Sequence, residues 1–294
     1  MNTKQNEASS SLHALIDSRY FPLSIGTNDL YTQDGQFVCV HLPDTNRLQA
    51  KKARFLIVVH GYGARKNNSK GRQSVRNLAA YWGKNICSFN WLVIAPHFDE
   101  KRFNKDYQRL NLSGLRADIR LNRLIGSIKE NLQDYRLNRK CLMLGFSGGG
   151  QFLHRYLAFH GHRVLRSVIG APGWFMWPNI WLPYPLGLFD SDGMKRPKER
   201  LRRLCRQEML LLVGDRDINQ GAFRRTYRTV DLSTLQGRSR RERAINWFSS
   251  LKQASINENI EFKGEIQILK NTFHRVNNNL TKTAISFLSG EKNM

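Results

Sequence analysis

The sequence predicts a doubly wound α/β fold, in which a mostly parallel sheet is flanked by helices. Short apolar runs at 54–59, 91–95 and 209–213 are typical of strands that are buried on both faces. Helical periodicity fills the intervals between such runs, and residues 117–132 give the clearest example. Strands that alternate with helices at intervals of a few tens of residues favour this arrangement.

The elements follow one another in a regular order. Residues 37–41 alternate in the manner of an edge strand, and a proline and an aspartate end it. The predicted buried strands are 54–59, 91–95, 141–144, 166–169 and 209–213, and residues 266–269 are predicted to form a last strand. The predicted helices are 74–80, 117–132, 151–157, 243–251 and 284–288, and the residues around 200–204 suit an amphipathic helix. Residues 1–20 are polar and predict a loosely ordered lead-in, and residues 21–294 predict a single domain, since no linker long enough to separate two domains interrupts them.

The chain is strongly basic. Its 294 residues include 47 Lys and Arg against 23 Asp and Glu, which gives a formal net charge of +24. Such a charge suits nucleic acid or an anionic membrane surface, so we expect weak electrostatic contact with polyanions. No zinc-finger, RNP or homeodomain pattern accompanies it, which argues against sequence-specific nucleic-acid binding. Basic residues gather at 195–206 and 224–243. A solvated basic surface is the ordinary interpretation, and the alternative is that the second stretch borders the entrance of a site and attracts an anionic substrate.

Other features favour a soluble, cytoplasmic protein. The apolar runs are strand-sized and too short to cross a membrane, and the first residues show no apolar segment of a signal peptide. The four cysteines are far apart and form no Cys-x-x-Cys pair, as expected in a reducing compartment. Nothing in the sequence indicates the oligomeric state.

A G-x-S-x-G motif follows the strand predicted at 141–144. It reads Gly-Phe-Ser-Gly-Gly from 145 to 149, and a helix is predicted directly after it. Glycines beside the serine remove side chains that would collide in a sharp turn, so the Ser147 hydroxyl stands exposed at a helix amino terminus. A phosphate-binding turn is the alternative, but the residues fit neither the P-loop nor the G-x-G-x-x-G pattern. The context therefore predicts that Ser147 is a nucleophile.

The partners of such a serine follow it in the order acid, then histidine. His274 lies in the loop after the last predicted strand, where the base is needed. Asp215 and Asp217 both follow the carboxyl end of the strand at 209–213. Ligand sites of open α/β sheets lie at the edge that the carboxyl ends of the strands form. Asp217 reaches farther into the loop and is the preferred acid, whereas Asp215 suits a turn or a cap.

Two backbone N–H groups are predicted to bind an oxyanion. One is that of Gly148, at the start of the helix after Ser147. The other is that of Tyr62, in the His-Gly-Tyr-Gly sequence that follows the strand at 54–59. His60 is expected to brace this loop by hydrogen bonding.

An aromatic-rich segment lies between the strands at 166–169 and 209–213. Residues 173–189 include three tryptophans, Trp174, Trp177 and Trp181, together with several aliphatic side chains. We expect residues 173–206 to form a lid-like insertion whose tryptophans contribute a substrate pocket. The alternative is a loop that is simply packed on the body of the protein.

These residues resemble the α/β-hydrolase superfamily, and within it bacterial serine esterases related to poly(3-hydroxybutyrate) depolymerases and feruloyl esterases. The likeness covers about residues 30–290 and includes the motifs at 60–63, 145–149 and 213–217, together with His274. It implies an acyl-enzyme mechanism that uses no metal and no organic cofactor. One departure is Phe273, because small residues commonly precede the base in such enzymes.

The expected function is hydrolysis of a small carboxylic ester by Ser147, His274 and Asp217, with Tyr62 and Gly148 binding the oxyanion. Transfer of the acyl group to another acceptor is a related alternative. A different class of function is a non-catalytic hydrolase fold that binds a polyanion or a protein partner through its charge.

Overall fold

The computed structural model describes residues 23–44, 53–89, 91–110, 114–132, 137–189, 196–218, 226–227 and 230–291. Within these residues, eight strands form a mostly parallel sheet flanked by helices, as the sequence predicts. The predicted lead-in at 1–20 lies outside the described residues. The prediction of a single domain stays a prediction.

The strands are β1 (Gly26–Tyr31), β2 (Phe37–Leu42), β3 (Arg54–Val59), β4 (Trp91–Pro96), β5 (Cys141–Phe146), β6 (Val164–Gly170), β7 (Met209–Gly214), β8 (Thr226–Tyr227), β9 (Val230–Asp231) and β10 (Gly264–Leu269). The helices are α1 (Ser69–Asn85), α2 (Ala117–Asn131), α3 (Gly148–His160), α4 (Pro197–Cys205), α5 (Leu232–Gln236), α6 (Arg240–Asn257) and α7 (Asn278–Ser289). Short 3-10 helices cover Tyr62–Arg65, Tyr107–Arg109 and Gly161–Arg163. No helix in the described part of the chain has the length and apolar character that crossing a membrane requires.

The chain divides into two compact units. The first lies within Met1–Ile57, Gly63–Tyr107 and Asn111–Asn138. Here β3 pairs in parallel with β4, which pairs antiparallel with β2, and β2 pairs antiparallel with β1. The prediction that residues 37–41 form an edge strand was wrong, because β1 covers the outer side of β2. Strand β1 was not predicted because most of its residues are polar, and an edge strand needs few apolar side chains.

The second unit lies within Val58–Tyr62, Gln108–Leu110 and Arg139–Met294. Its strands β5, β6, β7 and β10 pair in parallel in that order, and β8 pairs antiparallel with β9 in a separate sheet. Helix α3 packs against β5 and β6, α6 packs against β7, and α7 packs against β6 and β7. Because parallel strands end at the same edge of a sheet, the loops after β5, β7 and β10 emerge close together.

The aromatic-rich segment begins as a packed part of this second unit. The side chain of Gln236 accepts from Phe175 N–H at 2.8 Å and donates to Phe175 O at 2.7 Å. Met176 N–H donates to His154 Nε2, and Met176 O accepts from Trp247 Nε1, both at 2.8 Å. The Phe175 ring stacks on Trp247 with centroids 4.6 Å apart. Side chains from α3, α5 and α6 therefore satisfy the backbone of this segment.

His154 is predicted to make stability dependent on pH. Burial lowers its pKa well below the ordinary histidine value. Its neutral ring donates through Nδ1 to Gly150 O and accepts at Nε2 from Met176. Below pH 6.5 the unfolded chain binds a proton at His154 that the folded chain does not. The contribution of neutral His154 to the free energy of unfolding is therefore complete above pH 6.5 and is lost as the pH falls. Between pH 6.5 and 5, the free energy of unfolding should decrease more steeply than in a His154→Gln variant, by up to about 1.4 kcal/mol per pH unit. Urea titrations that give equal slopes for the two proteins would contradict this expectation.

Candidate active site

Ser147 occupies a strained turn between β5 and α3. Its φ is 56° and its ψ is −113°, a region that side chains other than glycine rarely adopt. A Cβ atom at Gly149 would overlap the carbonyl oxygen of Val59, and one at Gly145 would overlap the backbone of Gly149. The close approach of these backbone segments therefore requires both glycines.

Three side chains form a hydrogen-bonded line at the carboxyl edge of the parallel strands. His274 Nε2 lies 3.0 Å from Ser147 Oγ, and His274 Nδ1 lies 2.7 Å from Asp217 Oδ2. Ser147 follows β5, Asp217 follows β7 and His274 follows β10. Asp217 is 1% exposed, whereas His274 is partly exposed. The structure thus brings together the three side chains that the sequence analysis selected.

Asp215, the alternative acid, contacts the backbone of a neighbouring loop. Its Oδ1 accepts from Thr272 N–H at 3.0 Å. The backbone N–H groups of Asn271 and Thr272 hold the pKa of Asp215 below its ordinary value. The Asp215 N–H donates to Leu269 O at 3.0 Å. Asp215 therefore braces the loop that carries His274, a contact between two loops rather than the local turn or cap that the sequence suggested.

Arg240 is a partner of Asp217 that the sequence analysis missed. Its Nη1 donates to Asp217 Oδ1 at 2.9 Å, and both side chains are nearly buried. The predicted helix began three residues too late, at Arg243. The actual start has Ser239 as its amino-terminal cap, with the Ser239 hydroxyl accepting from Glu242 N–H. The spacing of Ser239 and Glu242 is that of a capping box, and this signal could have located the start of α6.

Phe146 is a second missed neighbour. Its ring centroid lies 4.9 Å from that of His274. Phe273, the departure noted in the sequence, is 50% exposed, and His274 makes both of its hydrogen bonds beside it. The bulk of Phe273 is thus accommodated at the surface.

The predicted oxyanion donors lie on two segments near the serine. Gly148 is the first residue of α3, whose first N–H groups have no partner within the helix. A Cβ atom at Gly61, the residue before Tyr62, would lie 3.9 Å from Ser147 Cβ. His60 Nδ1 lies 2.8 Å from Gly61 O and braces this loop. Both predicted donors therefore belong to backbone close to Ser147.

The structure places the three predicted pocket tryptophans at two different locations. Trp177 and Trp181 line a groove of about 380 Å³ together with Leu201 and residues of α6, and Trp181 is 79% exposed. The side chains of the hydrogen-bonded line are not part of this groove. Trp174 instead lies against the Arg155 guanidinium, and the centroid of its ring is 4.3 Å from Arg155 Cζ. Their role as a substrate pocket stays a prediction.

The arrangement can support covalent catalysis by a hydroxyl group. A hydroxyl, an imidazole and a carboxylate in hydrogen-bond contact are the groups that such chemistry uses. Among the described residues, no group of three or more His, Cys, Asp or Glu is placed to hold a metal ion.

Comparison with solved structures identifies the fold. A poly(3-hydroxybutyrate) depolymerase from Bordetella parapertussis is 19% identical, with a TM-score of 0.74 and 92% of each chain covered. Poly(aspartic acid) hydrolase-1 from Sphingomonas sp. KT-1 is 18% identical, with a TM-score of 0.72, 90% of this chain and 98% of that chain covered. S-formylglutathione hydrolase from Staphylococcus aureus is 13% identical, with a TM-score of 0.53, 90% of this chain and 96% of that chain covered.

The chain therefore has the α/β-hydrolase fold that the sequence predicts. The predicted likeness to poly(3-hydroxybutyrate) depolymerases is confirmed at the level of the fold. No family model matches the sequence, and no curated protein sequence matches it either.

The backbone packing around Ser147 predicts opposite effects of alanine at two glycines. In Gly149→Ala the new methyl group meets the Val59 carbonyl. We therefore expect the free energy of unfolding to fall by about 3 kcal/mol or more, or the protein to fail to fold. Gly126→Ala is the matched control, since open space surrounds that position inside α2. It should gain about 0.5–1 kcal/mol, because glycine is unfavourable in a helix. A Gly149→Ala protein as stable as wild type in urea titrations would refute the packing argument.

Proposed function

We propose that the chain is a serine hydrolase that cleaves a carboxylic ester through an acyl-enzyme intermediate. The observation that carries this proposal is the continuous line of hydrogen bonds from Asp217 through His274 to Ser147. The strained backbone of Ser147 adds support, because strain of this kind concentrates at functional sites.

In the first half of the reaction, Ser147 Oγ attacks the ester carbonyl carbon while its proton passes to His274 Nε2. The carbonyl electron pair moves to oxygen, and the N–H groups of Tyr62 and Gly148 bind the oxyanion. When the intermediate collapses, the bond to the leaving alcohol breaks, and His274 returns the proton to the alcohol oxygen. The acyl group then remains on Ser147.

In the second half, His274 removes a proton from water as the water oxygen attacks the acyl carbon. Collapse of the second intermediate releases the carboxylic acid and gives the proton back to Ser147 Oγ. Asp217 holds the Nδ1–H tautomer of His274 and stabilises the imidazolium that forms in both halves. The amino terminus of α3 also stabilises the oxyanion, because the helix dipole favours negative charge there and the first turn contains no acidic side chain.

The three solved proteins compared above are named as hydrolases or a depolymerase, which is consistent with the proposal. Their support is an analogy that rests on the shared fold. They include a depolymerase named for a polyester and a hydrolase named for poly(aspartic acid). The alternative of a polyanion-binding module is based on the net charge of +24. That alternative gives no reason for three aligned side chains at a strained turn, so hydrolysis is favoured.

Replacing Ser147 or His274 is predicted to abolish turnover. We expect Ser147→Ala and His274→Ala to lower kcat for p-nitrophenyl butyrate by about four orders of magnitude or more. The double variant should be no worse than either single variant, because the two groups act as one unit. His162→Ala serves as the control, since this exposed residue lies in the 3-10 helix Gly161–Arg163 that follows α3. Wild-type turnover by Ser147→Ala would exclude the mechanism.

Replacing each of the two aspartates separates their roles. Asp217→Asn should lower kcat by about four orders of magnitude, because an amide favours the wrong tautomer of His274. Asp215→Asn should lower kcat far less, since that side chain holds the backbone of Thr272. Thermal unfolding of both variants provides the control for global stability. The reverse ranking in kcat would assign the acid to Asp215.

A further inference from the structure

Two arginines lie beside the exposed ring that precedes His274. The Cζ atoms of Arg216 and Arg275 lie 5.5 Å and 6.0 Å from the centroid of Phe273, within the range of a cation–π contact. Arg216 Nη2 also donates to Asn271 Oδ1 at 2.7 Å. The two guanidinium groups are thereby held next to one half-exposed aromatic side chain.

The chain places both arginines next to the catalytic groups. Arg216 directly precedes Asp217, and Arg275 directly follows His274. Neighbouring Cα atoms are about 3.8 Å apart, so each arginine starts one residue away from a member of the hydrogen-bonded line. A group bound by these arginines would therefore lie at the rim of the candidate active site.

The charges of the surrounding residues are unbalanced. Residues 214–218 and 270–277, with the first two residues of α6, carry five cations and two carboxylates. Asp217 is engaged by His274 and Arg240, and Asp215 accepts from the Thr272 N–H. Among the ion pairs of the described residues, none includes Arg216 or Arg275.

We propose that Arg216 and Arg275 bind an anionic oxygen group of the substrate, a carboxylate or a phosphate, carried beside the scissile ester. An arginine whose face lies on an aromatic ring still presents N–H groups along its edge, and these match the paired oxygens of such anions. Phe273 presents an apolar ring within cation–π range of both guanidinium groups. This inference rests on the proposed ester hydrolysis and adds the substrate class.

Matched ester pairs test the substrate class. 4-Acetoxybenzoate and its methyl ester differ by a charge on the leaving group, and p-nitrophenyl hydrogen adipate and p-nitrophenyl hexanoate differ by a charge on the acyl chain. We expect kcat/KM to favour the anionic member of at least one pair by about tenfold, as two solvent-exposed ion pairs provide. In about 1 M salt, where the screening length is about 3 Å, most of this preference should disappear. Equal kcat/KM values within both pairs would overturn the inference for a carboxylate.

Paired substitutions locate the site. Arg216→Gln combined with Arg275→Gln should reduce the ratio of anionic to neutral kcat/KM about tenfold. The control removes the same charge at Lys140 and Arg206, two exposed residues that precede β5 and β7 at the opposite edge of the sheet, and it should keep the wild-type ratio. The same loss of ratio in both double variants would mean that net charge alone is responsible, and would overturn the assignment to Arg216 and Arg275.

A binding measurement separates this inference from the proposed hydrolysis. Calorimetric titration with adipate needs no turnover, and it should give affinity about tenfold weaker in the Arg216→Gln/Arg275→Gln protein than in wild type. A parallel titration with inorganic phosphate distinguishes phosphate from carboxylate as the preferred group. If no ester is hydrolysed but anion binding depends on the two arginines, the hydrolysis fails and the anion site stands. If both proteins bind neither anion or bind them equally, the anion site fails.

Discussion

The buried carboxylate of Asp217 connects the parts of the second unit that form the candidate site. A buried charge is costly unless it is paired and hydrogen-bonded, and Asp217 is 1% exposed. One of its oxygens faces His274 and the other faces Arg240, so the loop after β10 and the start of α6 both converge on the loop after β7. The requirement to satisfy one carboxylate therefore fixes the orientation of the imidazole that faces Ser147.

The backbone at Ser147 imposes the complementary constraint. The positive φ of the serine is stabilised by its surroundings, since Ser147 N–H donates to Gly170 O at 2.8 Å and Gln151 N–H donates to Ser147 O at 3.0 Å. Glycines at 145 and 149 allow the turn to approach its neighbours closely. A strained turn and a buried carboxylate, held by different elements, thus orient the two ends of the hydrogen-bonded line.

Much of the fold and of the candidate site was predictable from the sequence, because buried parallel strands have a distinct apolar signature and end at one edge of the sheet. The order of motifs then selected Ser147, Asp217 and His274 with few alternatives. Strand β1 was missed because its side chains are largely polar. Without β1, the alternating pattern of residues 37–41 was assigned to an edge strand. Arg240 was missed because its contact with Asp217 depends on where α6 begins and on how two loops pack. Trp177 and Trp181 line a groove that does not include the side chains of the hydrogen-bonded line, and this too results from packing that an aromatic-rich segment does not reveal.

Some of the arginines that contribute to the net charge of +24 lie at or near the candidate site. One arginine of the basic stretch at 224–243 is not at the surface but pairs with Asp217. Arg216 and Arg275 both lie within cation–π range of Phe273, the residue before His274. The proposed binding of an anion there concerns substrate selection rather than the bond-breaking step.

Labelling of the folded protein with a fluorophosphonate, followed by peptide mapping, tests the central claim most directly. The reagent reacts with a serine only when that hydroxyl is activated by a neighbouring base. The account predicts one label, on the peptide that contains Ser147, and no label on the Ser147→Ala protein. A folded wild-type protein that takes up no label, or that is labelled at another residue, would contradict it.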